Sequence, residues 1–186
     1  GVPGVPGALV EMTYTVEAQG ALQVEAVYHA VPGAPELPCF GVKFETTAPV
    51  VRTCWTGLSG ETYPDRCKGG VFGCHAETPH IEPALVPQDC GLHMDTQQVN
   101  LQLADGKTLT LESTGEAFAF SALPNTAQQI EAAQHLCELP ETGRTSITVL
   151  GAARGVGGID SWCTDVEEPY RLSGECDRSV RFRIVL

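Results

Sequence analysis

Two short stretches hold most of the residues whose types and spacing could do chemistry. The first, "GETYPDR", sets Glu61 and Asp65 four positions apart, a carboxylate pair of the sort used for acid–base work. Spacing alone does not fix how far apart two carboxyl groups stand. Tyr63-Pro64 reads as a turn, and Asp65 and Arg66 as side chains that pair with neighbours. Glu61, Tyr63, Asp65 and Arg66 are therefore expected to be structural or interface residues that anchor a long loop. The second stretch, "RGVGGIDSWCTD" at 154–165, puts Asp160, Ser161 and Trp162 behind a glycine-rich approach. An Asp-Ser pair with no histidine placed against it is no nucleophilic triad. Both side chains suit a local turn, and Gly157 and Gly158 can take positive φ, so all four support the loop that carries Trp162. One of only two tryptophans thus stands on the most flexible stretch of the chain, a poor place for a core residue.

Cys67, Cys74, His75, His80, Cys90 and His93 crowd one region and raise the question of zinc. Structural zinc sites pair their ligands at short fixed intervals, and only Cys90-x-x-His93 resembles that, so no metal is expected. The eight cysteines contain no CxxC and no regular spacing, which suits small buried thiols in a reducing compartment, hence the cytoplasm. His135 is expected near the C-terminal end of a helix, where a donor or cation is welcome.

At 186 residues the chain is long enough for one sizeable core. A formal net charge of −12 argues against nucleic acid and anionic membrane as partners, since both require a basic footprint. No run of about 18 apolar residues exists to span a bilayer. The first seven residues of "GVPGVPGALV" read as a linker or a cut within a longer chain, and residues 8–186 as one domain.

Period-2 alternation dominates that domain. Val10, Met12, Tyr14 and Val16 alternate in "LVEMTYTVE", and after "AQG" Leu22, Val24, Ala26 and Tyr28 alternate in turn, so the two form a hairpin. Val99, Leu101 and Leu103 precede a turn at Asp105-Gly106, and Leu109 and Leu111 follow it. Phe118 and Phe120, Ile147 and Val149, and Val180, Phe182, Ile184 and Leu186 mark three more strands. This pattern predicts antiparallel sheets with one buried face each, an all-β sandwich. One helix is expected over 126–138, begun by Thr126 and Gln129 at capping-box spacing, with Ile130, Ala133 and Cys137 on one side and Pro140 as the stop. Thr56 to Leu92 shows little periodicity and reads as a long ordered loop.

In chain order, "LPCFGVKFETT", "TCWTGLSGETYPDRCKGG", "PALVPQDCG", "FAFSALPNTAQQIEAAQHLCELP" and "RGVGGIDSWCTDVEEPYRL", then a terminal strand, resemble a known family. It is the C-terminal small-chain domain (domain 5) of glycoside hydrolase family 2 β-galactosidases. The likeness runs from about Val10 to Leu186, and "ETYPDR", "FSA", "AAQH-x-x-EL" and "GVGG-x-DSW" are its specific parts. It implies a galactose-mutarotase-like supersandwich, here N-terminally incomplete. It also implies that the two catalytic glutamates and the magnesium and sodium ligands lie in a separate (β/α)₈ barrel domain. This chain would then contain no catalytic residue and bind no cofactor or metal, and would be inactive alone. The barrel, in the same chain or another subunit, would be its partner in retaining hydrolysis of terminal β-D-galactosides such as lactose. By resemblance Trp162 reaches into that barrel's pocket and stacks on the apolar C–H face of the substrate, at the aglycone side. Ile159 replaces an acidic residue of the family, Leu58-Ser59-Gly60 replaces a Gly-Pro, and Gln97-Gln98 stands at about the place of an Arg-Trp, marking a divergent member. Missing early strands would leave an open sheet edge through which copies self-associate. Two rival readings are a stand-alone carbohydrate-binding or interaction module and an aldose-epimerase-like enzyme. The latter needs two of His29, His75, His80, His93 and His135 with a carboxylate on one concave surface.

Overall fold

The structure is a computed structural model that describes residue 2, residues 4–18 and residues 20–186; Gly1, Pro3 and Gln19 lie outside the described residues. Alternating sequence produces antiparallel strands in two sheets. The larger has seven strands in the order β1 (Leu9–Val16), β2 (Leu22–His29), β11 (Arg178–Val185), β8 (Thr108–Ser113), β7 (Gln98–Leu103), β4 (Val50–Leu58) and β5 (Phe72–Glu77). The smaller has four, β3 (Cys39–Glu45), β10 (Ser146–Ala153), β9 (Phe118–Leu123) and β6 (His93–Thr96). This is the all-β sandwich the alternation predicts.

Register follows the apolar pattern. Val10 stands opposite Tyr28 and Tyr14 opposite Val24 in the first hairpin, whose "AQG" turn includes Gln19, outside the described residues. Gly106, at φ 87°, closes the β7–β8 turn, a conformation that favours glycine. Val24, Leu101, Leu111 and Phe182 from the large sheet meet Phe120, Ile147 and Val149 from the small one in a single core. Burying each such side chain stabilises by about 1.5–3 kcal/mol. Val5, within the Gly/Pro-rich start, is buried against this same core.

Four expectations need correction. Thr56 to Leu92 is not one long loop: β4 runs to Leu58 and β5 lies in its middle. Glycine hides the pattern there, because at Gly57 an added Cβ would stand 2.9 Å from Thr96 Oγ1, so no larger residue could mark the alternation. The helix is shorter than 126–138. α1 covers only Ala127–Ala132, and Leu136–Glu138 forms a separate 3₁₀ turn. The Thr126–Gln129 capping box starts α1, but the Glu138 carboxylate takes the N–H groups of Gln134 and His135 and begins the second turn. His135 pairs with Glu138 and Cys137 is exposed. The thiols are also mostly at the surface: only Cys90 is buried, and all eight are free.

The fourth correction concerns β1, which has no buried face. Val10, Met12, Tyr14 and Val16 oppose the core-facing residues of β2, so they lie on the inner face of the sheet. Strand β3 packs over β11 and reaches only the margin of β2. The small sheet is too narrow to cover β1, and Val16 remains 76% exposed. In contrast, β9 is buried on both faces. Its outer side is roofed by residues 62–66 and 89–92 and by α1, as the packing of Leu92 on Ala119 and Leu150, and of Cys90 on Leu123 and Ile130, shows.

Candidate functional site

The glycine-rich stretch leaves β10 at Ala153 and rejoins the body at buried Val166. Charge draws its ends together. Arg154 Nη2 meets Asp165 Oδ1 at 2.5 Å, and Arg154 Nε meets Glu36 Oε2 at 3.3 Å. Arg171 reaches the same two carboxylates, Glu36 Oε1 at 3.5 Å and Asp165 Oδ2 at 2.9 Å. The four side chains form a closed square of alternating charge. A lone exposed ion pair contributes only about 0–1 kcal/mol, but here each carboxylate is oriented from two sides, which fixes the neck of the loop. The Asp165 carboxyl is held below the usual range, first by Arg154 and then by the Val166 N–H.

The approach is clamped from outside. Asp65 Oδ2 accepts the Gly157 N–H at 2.7 Å and Asp65 Oδ1 the Val156 N–H at 3.0 Å, while the Arg66 guanidinium donates to the Gly157 carbonyl. One residue, Gly157, is thus gripped at both backbone groups by consecutive side chains. Burial pushes the Asp65 carboxyl up, but the two N–H donors outweigh it and hold the group below its usual value. Tyr63 and Arg66 exchange backbone hydrogen bonds, which sets the Pro64-Asp65 turn that aims both side chains. The glycines fit the grip: at Gly155 an added Cβ would stand 2.7 Å from Asp65 Cγ, and Gly157 has φ 68°.

Beyond the clamp, Asp160 organises the tip. Its Oδ1 accepts the N–H of Trp162 at 2.8 Å and of Thr164 at 3.3 Å, and its Oδ2 takes the Thr164 hydroxyl at 2.6 Å. The Thr164 hydroxyl first, then the Trp162 N–H, lowers this carboxyl. These bonds hold Cys163 at φ 60°, a conformation unusual for a non-glycine residue. Ser161 is exposed and makes no side-chain hydrogen bond to another described residue. Trp162 is 87% exposed, and Val156 and Ile159 stand exposed near it in the chain. The arrangement offers a flat apolar platform on a loop fixed at neck, approach and tip.

The remaining candidates serve other purposes. Glu61 takes the Tyr63 hydroxyl at 2.5 Å while Asp65 is spent on the clamp, so the two carboxylates act separately. Among the described residues no three metal-ligating groups converge. His93 is buried between Trp55 and Phe120, ring centroids 4.2 and 5.0 Å away, with its ring nitrogens engaged by Gly60 O and Glu77 Oε1. His75 packs on the other ring contact of Trp55 and pairs with Val71 O. That cluster leaves no His93 ring nitrogen free for a sugar hydroxyl. Sequence reading missed Glu36, Arg154, Asp165 and Arg171, and it did not connect the "PDR" turn to the glycine loop. Partners 91 and 92 positions apart leave no local signal.

The family model described as "Beta galactosidase small chain" matches residues 3–186. A β-galactosidase small subunit of Latilactobacillus sakei is 44% identical over 190 residues, covering 96% of this chain and 60% of that protein. β-Galactosidases of Streptococcus thermophilus and Halalkalibacterium halodurans are 33% and 32% identical, over 98% and 94% of this chain but only 18% of each of theirs. The chain thus spans about three-fifths of the small subunit and under a fifth of the longer enzymes. A sandwich with the clamped glycine loop, matched by a family model over nearly its whole length, belongs to the β-galactosidase small-chain family.

Proposed function

We propose that this chain is a non-catalytic β-sandwich part of a retaining β-galactosidase, packing against the catalytic barrel and presenting Trp162 at the aglycone side of the substrate pocket. The observation that carries the reading is the placement of Trp162. One of the protein's two indoles is 87% exposed, on a loop held by an ionic square, a backbone clamp and an Asp160 turn. Water is a poor environment for an indole, and so much restraint on a solvated ring is explained by a surface that it must meet. A sugar's C–H face is such a surface, and a rigid indole stacks there at low entropic cost. Magnesium and sodium belong with the barrel's residues, and the bond-breaking carboxylates do too. Glu61 and Asp65 hold loops.

Other features fit. The charge of −12 disfavours nucleic acid and anionic membranes. No helix among the described residues is long and apolar enough to cross a membrane. Eight free thiols suit a reducing, cytoplasmic setting. The uncovered inner face of β1 is where further β-galactosidase polypeptide, or a second copy of this chain, pairs.

The test is a reconstituted enzyme, this chain together with its catalytic partner. Trp162→Ala should raise KM for lactose or slow transfer to sugar acceptors, by about 2- to 12-fold if the platform contributes about 0.5–1.5 kcal/mol, with kcat for hydrolysis little changed. Trp162→Phe should recover part of the loss. Unchanged KM and acceptor transfer in the alanine variant would refute the role.

A further inference from the structure

The outer face of the small sheet holds a cavity that neither the core nor the Trp162 loop requires. It encloses about 320 Å³ between β9 and β10 below and residues 89–92 and 63 above. Leu92 from above and Leu150 and Ala153 from below give it apolar walls, and Asp89, Ser121 and Thr148 supply polar groups. Ser121 and Thr148 are cross-strand partners, so their hydroxyls point out of the sheet side by side. Ser121 is only 7% exposed, yet its hydroxyl has no hydrogen-bond partner among the described residues, and neither has that of Thr148. Both hydroxyls line the cavity and stay free to bond whatever enters it, each able to donate and to accept. Asp89 stands at the mouth, its carboxylate bonded only to the Cys90 N–H of its own turn.

We propose that this cavity binds a small neutral polyol the size of one sugar ring, with Ser121, Thr148 and Asp89 taking its hydroxyls and Leu92, Leu150 and Ala153 its apolar face. The volume lies at the lower end of the range for small-molecule sites, about 300–1,000 Å³, which limits the occupant to about one ring. Two adjacent hydroxyls that each donate and accept, beside an acceptor-only carboxylate, match vicinal hydroxyl groups. Charge sets the rest of the specificity. Asp89 lines the cavity with Glu61 nearby, and both, after burial, push the Tyr63 phenol upward; Arg154 lines it too, but its guanidinium is taken by Asp165 and Glu36. An anionic ligand such as a sugar phosphate is therefore rejected. A cation is not drawn in either, because the Arg154 guanidinium stands in the cavity wall. The site is separate from the Trp162 platform and does not rest on the role given to it, although Gly155 and Val156, which line the cavity, are the root of that loop.

The experiment is an amide-resolved NMR titration of this chain with D-galactose, D-glucose, D-galactose 6-phosphate and methylammonium. The expected result is saturable shifts at Ser121, Thr148, Leu150 and Gly155 with millimolar galactose or glucose, and none with the phosphate or the amine. Ser121→Val should weaken sugar binding at least tenfold. Asp89→Asn, on a surface loop where folding is not at stake, should weaken it and let the phosphate in. The proposal is overturned if 100 mM sugar leaves these amides unmoved, if shifts appear only around Trp162, if methylammonium binds better than the sugars, or if Asp89→Asn titrates like the parent. Shifts confined to Trp162 would at the same time leave the platform reading standing.

Discussion

Replacing Asp65 by alanine removes both carboxylate bonds to the Val156 and Gly157 N–H groups while touching nothing in the core. A hydrogen bond to a charged group contributes about 1.5–3 kcal/mol, and the partial exposure of this carboxylate puts the pair together at about 2 kcal/mol. Because 1.4 kcal/mol is a factor of ten, the loop-opening equilibrium should shift by about 30-fold. The change is local: the sandwich core, from Val24 to Phe182, keeps its contacts. Hydrogen exchange followed by mass spectrometry is the assay. The peptide spanning 154–166 should exchange about 30-fold faster in Asp65→Ala, while peptides from β9 and β10 remain unchanged. Uniform acceleration across the chain would mean that Asp65 supports the whole domain. No acceleration at 154–166 would mean that the clamp does not hold the loop.

Three further outcomes are expected. Gly155→Ala drives a methyl group into the Asp65 carboxylate, so it should loosen the same peptide, and in combination with Asp65→Ala it should add little, which a double-mutant cycle would read. The Asp65 carboxyl lies below its unfolded value of 3.8, so its stabilisation is complete above that pH and is lost as pH falls through the lower folded value. Loop exchange, corrected for intrinsic rate, should therefore be flat from pH 5 to pH 8 and rise only below about pH 3.8; a rise near neutrality would contradict the clamp. The open edge at β1 should pair with another copy: a two-fold axis at Thr13 sets Met12 against Tyr14 and Val10 against Val16, and Met12→Lys should shift sedimentation toward monomer, whereas a parent chain monomeric at all concentrations would refute the pairing.

Most of the sandwich was legible because period 2 is written in large apolar residues. Val24, Ala26 and Tyr28 and then Val180, Phe182 and Ile184 name their faces, and both strands stand where the alternation predicts. The pattern failed in two opposite ways. In β4 and β5, Gly57, Gly73 and small polar residues dilute it; at Gly57 the close approach of the Asp95–Thr96 backbone leaves no room for a side chain, whereas Gly73 meets only the His75 ring. In β1 it is present but unused, since alternation records which face a strand turns inward and cannot say whether a second layer lies opposite. The tip of the Trp162 loop could be read locally, as Asp160 bonds to backbone two residues on. Its neck and clamp could not, since Glu36 and Asp65 meet it only through the fold. The helix broke early because Glu138 competes for the N–H groups that a longer helix would have used.

The two tryptophans give the most direct measurement of the central claim, since Trp55 is 4% exposed and Trp162 87%. Fluorine-labelled tryptophan should show one ring protected and one open to a soluble quencher in this chain alone. On assembly with the catalytic partner the Trp162 signal should lose quencher access, and a non-hydrolysable galactoside should shift it again while Trp55 stays fixed. If Trp162 remains as open in the assembled, ligand-saturated enzyme as in the isolated chain, the ring does not face the sugar and the account is wrong.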